Sequence, residues 1–122
     1  MYQLFVEGHF DAAHYLRHYQ GKCEKLHGHR FKVVVRLDTT KLDQAGLAYD
    51  FAHIKRFLRE ALAPFDHACL NDVPPFDETE PSCENLAATI YNGLQPCFLG
   101  SPVTLACIEV WESPTSGVAY YP

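Results

Sequence analysis

The stretch Cys23-Glu24-Lys25-Leu26-His27-Gly28-His29 brings a thiol, a carboxylate and two imidazoles within seven residues. His14 stands upstream, in Phe10-Asp11-Ala12-Ala13-His14. Neutral imidazole is a ready ligand for zinc, and three of them leave one tetrahedral position open. Such a site polarises a substrate oxygen or lowers the pKa of a bound water. Iron(II), nickel and copper also accept imidazole, so the spacing speaks for a metal before it speaks for zinc. Cys23 has two readings: a fourth ligand that closes a structural site, or a proton-transfer group that stands off the metal. A thiol with its ordinary pKa of about 8.5 needs a nearby base or cation to be a thiolate at neutral pH.

Two other positions carry chemistry. Asp66-His67 is an adjacent pair, and it reads either as a loop-end turn or as a carboxylate orienting an imidazole that exchanges protons with Cys23. Glu112 is either a solvated strand-end carboxylate or an acceptor for a ligand with paired N–H donors. Glu109, on the opposite strand face, reads as a solvated or intersubunit charge. His9, His18 and His53 have no partner pattern. Cys69, Cys97 and Cys107 read as core or half-buried small residues.

These groups need elements to place them. Residues 2–13 read as a strand ending at His14, with Phe10, Ala12 and His14 on one face. A second strand at 27–38 alternates Phe31, Val33, Val35 and Leu37 with Lys32, Val34, Arg36 and Asp38. His27 and His29 continue its apolar face, with Gly28 leaving room between them. Asp50 caps a helix carrying Phe51, Ile54, Phe57, Leu58 and Leu62, closed by Pro64. Ser82 caps a second, with Leu86, Ile90 and Leu94 on its stripe and Pro96 at its end. A strand at 103–112 puts Val103, Leu105, Cys107, Glu109 and Trp111 on one face. The other face carries Thr104, Ala106, Ile108, Val110 and Glu112. A turn at 113–117 leads to a short last strand at 118–121. The order ββααββ predicts an α+β domain over 1–122 with a mainly antiparallel sheet.

Composition narrows the partners. The net charge is −5 and no basic block occurs, which argues against nucleic acid. No apolar run approaches a membrane span, and no signal peptide is evident at the start. Five cysteines at scattered spacing, with no CxxC, argue against a disulfide framework and for a reduced, cytoplasmic protein.

Six segments then occur in one order along the chain. They are Phe10-Asp11-Ala12-Ala13-His14, Cys23-x-x-x-His27-Gly28-His29, Tyr49-Asp50-Phe51, Asp66-His67-x-x-Leu70-Asn71-Asp72, Pro81-Ser82-Cys83-Glu84-Asn85-Leu86-Ala87 and Val110-Trp111-Glu112-Ser113. Together they resemble the 6-pyruvoyltetrahydropterin synthase family, most closely its bacterial 6-carboxytetrahydropterin synthase branch. The resemblance implies a tunnelling fold (T-fold), a four-stranded antiparallel sheet with two helices on one face. It implies homo-oligomers, trimers or stacked hexamers, with active sites between subunits. His14, His27 and His29 would hold Zn2+. Cys23 would be the base, Asp66 and His67 would reach in from a neighbouring subunit, and Glu112 would grip the pterin's amino-pyrimidine edge. Ser82 and Cys83 would contact the pterin as well. The implied reaction converts 7,8-dihydroneopterin triphosphate to 6-carboxy-5,6,7,8-tetrahydropterin, acetaldehyde and triphosphate, on the route to queuosine.

The chain departs from the family pattern in three places. Cys83 replaces a stronger hydrogen-bond donor, Ala68 stands where relatives often carry a second histidine, and Glu24 follows Cys23. A related folate-pathway branch uses Glu-x-x-His-Gly-His, so Glu24 is either a loop carboxylate or a second base releasing 6-hydroxymethyl-7,8-dihydropterin. The same residues also admit 6-pyruvoyltetrahydropterin synthase activity, a non-catalytic module with a structural zinc, or an unrelated three-histidine enzyme.

Overall fold

Two long strands come first because their residues alternate between apolar and polar. The computed structural model describes residues 1–20 and 25–122. Within them, β1 (Tyr2–His14) and β2 (His27–Thr39) pair antiparallel without a break, from Tyr2↔Thr39 to His14↔His27. Val6, Phe10 and Ala12 on β1 and Phe31, Val33, Val35 and Leu37 on β2 form the buried face. Period-two alternation puts them on one side of the pleat.

Two helices cover that face. Helix α1 (Phe51–Leu62) begins where Asp50 accepts a hydrogen bond from the Ala52 amide at 2.8 Å. It buries Ile54, Leu58 and Leu62, while Phe51 at its first turn stays half exposed. It lies close over Gly8, where a Cβ would come within 2.8 Å of Leu58 Cδ2. Helix α2 (Cys83–Leu94) is capped by Ser82, which accepts from the Asn85 amide at 3.2 Å, and buries Leu86, Ala87, Ile90 and Leu94. Both N-caps read from the sequence are present. Sheet and helices share one apolar cluster running from Val6 to Val110.

The remaining strands are β3 (Ala68–Cys69), β4 (Thr104–Ser113) and β5 (Ser116–Tyr120), and the sheet order is β3-β1-β2-β4-β5. The expected α+β two-layer fold is present, with five strands in place of four. The added strand, β3, runs parallel to β1 through Ala12↔Ala68 and Ala13↔Cys69, so the sheet is mixed. Two residues carry no alternation, and their pairing depends on tertiary bonds. Among the described residues, the outer edge of β1 is unpaired from Tyr2 to Phe10, as is the outer edge of β5.

Strand β4 corrects a second expectation. Leu37 pairs with Leu105 and Arg36 with Cys107, which leaves Ala106 as the extra residue of a bulge. The bulge changes the frame. Val103 and Leu105 share the core face with Ile108 and Val110, not with Cys107 and Glu109. Glu109 is also not a solvated charge. It accepts from Arg36 Nε and from Trp111 Nε1, the latter at 2.9 Å. Of the cysteines, Cys107 is buried and Cys69 half-buried as expected, while Cys97 is exposed. Among the described residues, no helix is long and apolar enough to cross a membrane.

Candidate active site

The three histidines converge at the end of the β1–β2 ladder. His14 and His27 form its last rung, and His29 is the cross-strand partner of Ala12 two rungs back. Ring centroids lie 4.7 Å apart for His14–His27 and His27–His29, and 5.4 Å apart for His14–His29. One nitrogen of each ring lies within 4.8 Å of one from each of the others. His14 and His29 also meet the edge of Phe31, which floors the cluster.

The hydrogen bonds decide which nitrogens face inward. His14 Nδ1 lies 2.7 Å from the Pro81 carbonyl, an acceptor only, so Nδ1 carries the proton and donates. Nε2 of this buried ring is left with a lone pair and no hydrogen-bond partner among the described residues. An unpaired buried acceptor is costly unless something occupies it. His27 repeats the pattern, donating from Nδ1 to the Lys25 carbonyl at 2.6 Å. An imidazole that donates from one nitrogen to a carbonyl and offers the other is the usual state of a metal ligand. The residues therefore fit a zinc ion held by His14, His27 and His29.

Electrostatics agree with this. Burial is the main cause lowering the pKa of both His14 and His29, and the neighbouring His27 adds to it. For His14 the Pro81 carbonyl, and for His29 the Glu112 carboxylate, pull the other way without reversing the shift. The unfolded chain thus takes up protons near the ordinary histidine pKa of about 6.5, where the folded chain still refuses them. Proton uptake then accompanies unfolding, so acid favours the unfolded state. The metal-free protein is expected to lose thermal stability as pH falls below about 6.5. Melting curves between pH 8 and 5 check this, and a Tm that holds or rises on acidification contradicts it.

Glu112 stands beside the histidines. Its Oε2 lies 3.9 Å from His29 Nε2 and accepts from the Cys83 thiol at 3.8 Å. Its side chain remains about one-third exposed (36%), so it is neither a buried ion pair nor a free strand end. A cavity of about 420 Å³ opens there, lined by His14, Tyr19, Ser82, Cys83, Glu112 and Gly117 among others. That volume falls in the range of small-molecule clefts, roughly 300–1,000 Å³. Ser82 uses an oxygen lone pair as helix cap, which leaves its O–H as a donor.

Asp66 and His67 form a separate pair, and His67 lines a different groove. Asp66 Oδ1 accepts from the Asp11 amide at 3.0 Å and from His67 Nδ1 at 3.1 Å, while the His67 amide donates to the Asp11 carbonyl at 2.6 Å. The Asp11 amide, and then the His67 ring, hold the Asp66 carboxyl below the usual carboxylate range. His67 adopts the left-handed region, with φ of 57°, a conformation that non-glycine residues adopt chiefly at sites which over-determine it. Its ring is 79% exposed. The groove also contains His29, Arg30 and Gly28. Among the described residues, no bond joins His67 to the three histidines. Asp11 is a further acidic neighbour of the pair and is itself met by Arg30 at 3.5 Å. Cys23 and Glu24 lie outside the described residues.

The sequence reading missed the groups that hold His14 in place. Asn71 bonds both the amide and the carbonyl of Tyr15, each at 3.0 Å. Glu80 accepts from the Arg17 and His18 amides at 3.1 and 3.2 Å. The Arg17 guanidinium donates to the carbonyls of Asn71, Phe76, Asp77 and Thr79, and to Glu80. No local pattern marks Arg17, because four of its five acceptors are main-chain oxygens.

Comparison with known proteins agrees with the geometry. The chain matches the 6-pyruvoyl tetrahydropterin synthase family over residues 3–122. A 6-carboxy-5,6,7,8-tetrahydropterin synthase from Synechocystis sp. is 36% identical over 127 residues, covering 99% of this chain and 94% of that one. The enzyme of that name from Bacillus subtilis is 30% identical over 128 residues, covering 99% and 86%. The structure of Caenorhabditis elegans 6-pyruvoyl tetrahydropterin synthase superposes with a TM-score of 0.87 at 27% identity, covering 99% of this chain and 95% of that one. Fold and relatives together define a lyase built on the T-fold. The chain belongs to the 6-pyruvoyl tetrahydropterin synthase family.

Proposed function

We propose that the chain is a zinc-dependent pterin lyase of the 6-carboxytetrahydropterin synthase type. It would convert 7,8-dihydroneopterin triphosphate and one water to 6-carboxy-5,6,7,8-tetrahydropterin, acetaldehyde and triphosphate, on the route to queuosine. The observation that carries this reading is the buried, unpartnered His14 Nε2 facing two more imidazoles beside a cavity that contains Glu112. The names of the Synechocystis and Bacillus relatives support the choice of product.

Each residue then has a chemical task. Held by His14, His27 and His29, zinc supplies a Lewis acid next to the substrate's side-chain oxygens. Glu112 accepts the paired N–H donors of the amino-pyrimidine edge, a bidentate contact that fixes orientation. Ser82 donates from its hydroxyl within the same cavity, and Cys83 holds one Glu112 oxygen. Cys23 takes a proton from the side-chain carbon. Asp66 keeps the His67 proton on Nδ1, so Nε2 is free to relay another.

The sites are proposed to lie between subunits of a homo-oligomer. The exposed His67 ring and the two unpaired sheet edges support this, since each edge offers the bonds that the other lacks.

The test is incubation of the zinc-loaded protein with 7,8-dihydroneopterin triphosphate. The expected products are 6-carboxytetrahydropterin and an equal amount of acetaldehyde. A 6-pyruvoyl product without acetaldehyde would assign the activity named for the Caenorhabditis elegans neighbour instead. Release of no pterin product at all would refute the lyase reading.

A further inference from the structure

We propose that Arg17 is a positioning residue for the metal site, fixing the His14 tautomer through the proline-rich loop. The chain of contacts is continuous. His14 Nδ1 donates to the Pro81 carbonyl at 2.7 Å, and among the described residues this is the bond that holds the proton away from Nε2. Pro81 closes a loop, residues 73–81, that contains no helix or strand. Turns within the loop, the α2 N-cap at Ser82 and Asn85, whose Nδ2 donates to the Glu80 carbonyl at 2.9 Å, hold its end, and Arg17 joins these turns to the strand that carries His14.

Arg17 does this from three residues beyond His14. Its Nη2 donates to the carbonyls of Phe76 at 2.7 Å and of Asn71 and Asp77 at 3.3 Å. Its Nη1 donates to the Thr79 carbonyl at 3.3 Å and to Glu80 Oε1 at 3.4 Å. One planar fork thus gathers both ends of the loop, and only a guanidinium presents five donors in that fixed geometry. Glu80 returns the contact through the Arg17 and His18 amides. Asn71, whose carbonyl Arg17 holds, clamps both main-chain groups of Tyr15, the residue after His14. Arg17 thus links the loop that ends at Pro81 with the backbone behind His14, alongside the Asn85 bond to the Glu80 carbonyl. The hub lies outside the cavity that contains Glu112, and Arg17 is not one of its lining residues.

The inference rests on the reading of His14, His27 and His29 as metal ligands, and two measurements keep the two apart. The first is zinc affinity by chelator competition for the wild type, Arg17→Met and Arg17→Lys. Outer-shell partners of a ligating histidine are worth about 10–100-fold in metal affinity. Arg17→Met is expected to lose that much, and Arg17→Lys, which keeps the charge without the fork, is expected to recover only part. The second is the nitrogen-15 NMR signature of the His14 ring in the metal-free protein, which needs no metal. It is expected to report a proton on Nδ1 alone in the wild type and a mixture of tautomers in the variants.

Wild type that fails to bind zinc would overturn the metal reading and leave the tautomer measurement to decide the role of Arg17. A folded Arg17→Met protein with wild-type zinc affinity and an unchanged His14 ring would overturn the inference. If Arg17→Met does not fold, Arg17→Lys carries the same decision on the same two readouts.

Discussion

The His27→Ala protein is expected to fold normally, lose zinc and lose turnover with it. His27 is the ligand to choose because it does least for the fold. It is only partly buried, and among the described residues its hydrogen bond goes to Lys25 two residues away. His14 is buried against Phe31 and tied to Pro81, so its removal opens a cavity and frees a loop. The free energy of structural zinc sites, about 10–16 kcal/mol, divides into roughly 2.5–4 kcal/mol per ligand for four ligands. Losing one of three imidazoles should then weaken zinc by about 10²–10³-fold. Metal analysis after dialysis, together with a thermal melt, checks this. Retention of stoichiometric zinc by a folded His27→Ala protein would show that the ligand set is wrong.

The second large effect is expected at Cys23. Positioned acid–base groups contribute about 10²–10⁴-fold to rate. Cys23→Ala should therefore lose turnover by that factor while it keeps zinc, fold and substrate affinity. A Cys23 that instead served as fourth ligand, closing a structural zinc site, predicts the opposite pattern: weaker metal and lower stability. Glu24→Ala completes the comparison. If it alone abolishes release of 6-hydroxymethyl-7,8-dihydropterin, the neighbouring carboxylate is a second base. If Cys23→Ala turns over at the wild-type rate, Cys23 is not the base.

What the sequence disclosed follows from how local each signal is. The alternation of Phe31, Val33, Val35 and Leu37 extends to His29 and His27, so the strand that buries the core also aims two imidazoles to one side. Asp50 and Ser82 are caps recognisable from residue type and position. Three features were not legible, each for its own reason. Strand β3 exists because Asp66 and His67 bond the backbone of Asp11, a contact between residues 55 and 56 positions apart. The bulge at Ala106 breaks a frame that pattern reading assumes to be continuous, so Val103 and Leu105 were assigned to the wrong side. The Arg17 hub joins a side chain mostly to carbonyls, and every residue has a carbonyl. Family segments in order tied His14 to the His27–His29 pair, and the fold brings the three together.

The bare outer edges of β1 and β5 have a consequence for handling and for reading mutants. A strand edge with free amides and carbonyls is a template for any other strand. From Tyr2 to Phe10, β1 contains no proline, and Tyr2 and Phe5 on it are more than half exposed. In the proposed homo-oligomer, a subunit cut off from its neighbours would thus carry its own seed for aggregation. Substitutions that weaken the assembly should appear as protein lost to the pellet before they appear as a slow enzyme. Sedimentation of the soluble fraction belongs before any rate comparison, and an edge variant that stays soluble as a monomer would show that these edges are better protected than their bonding suggests.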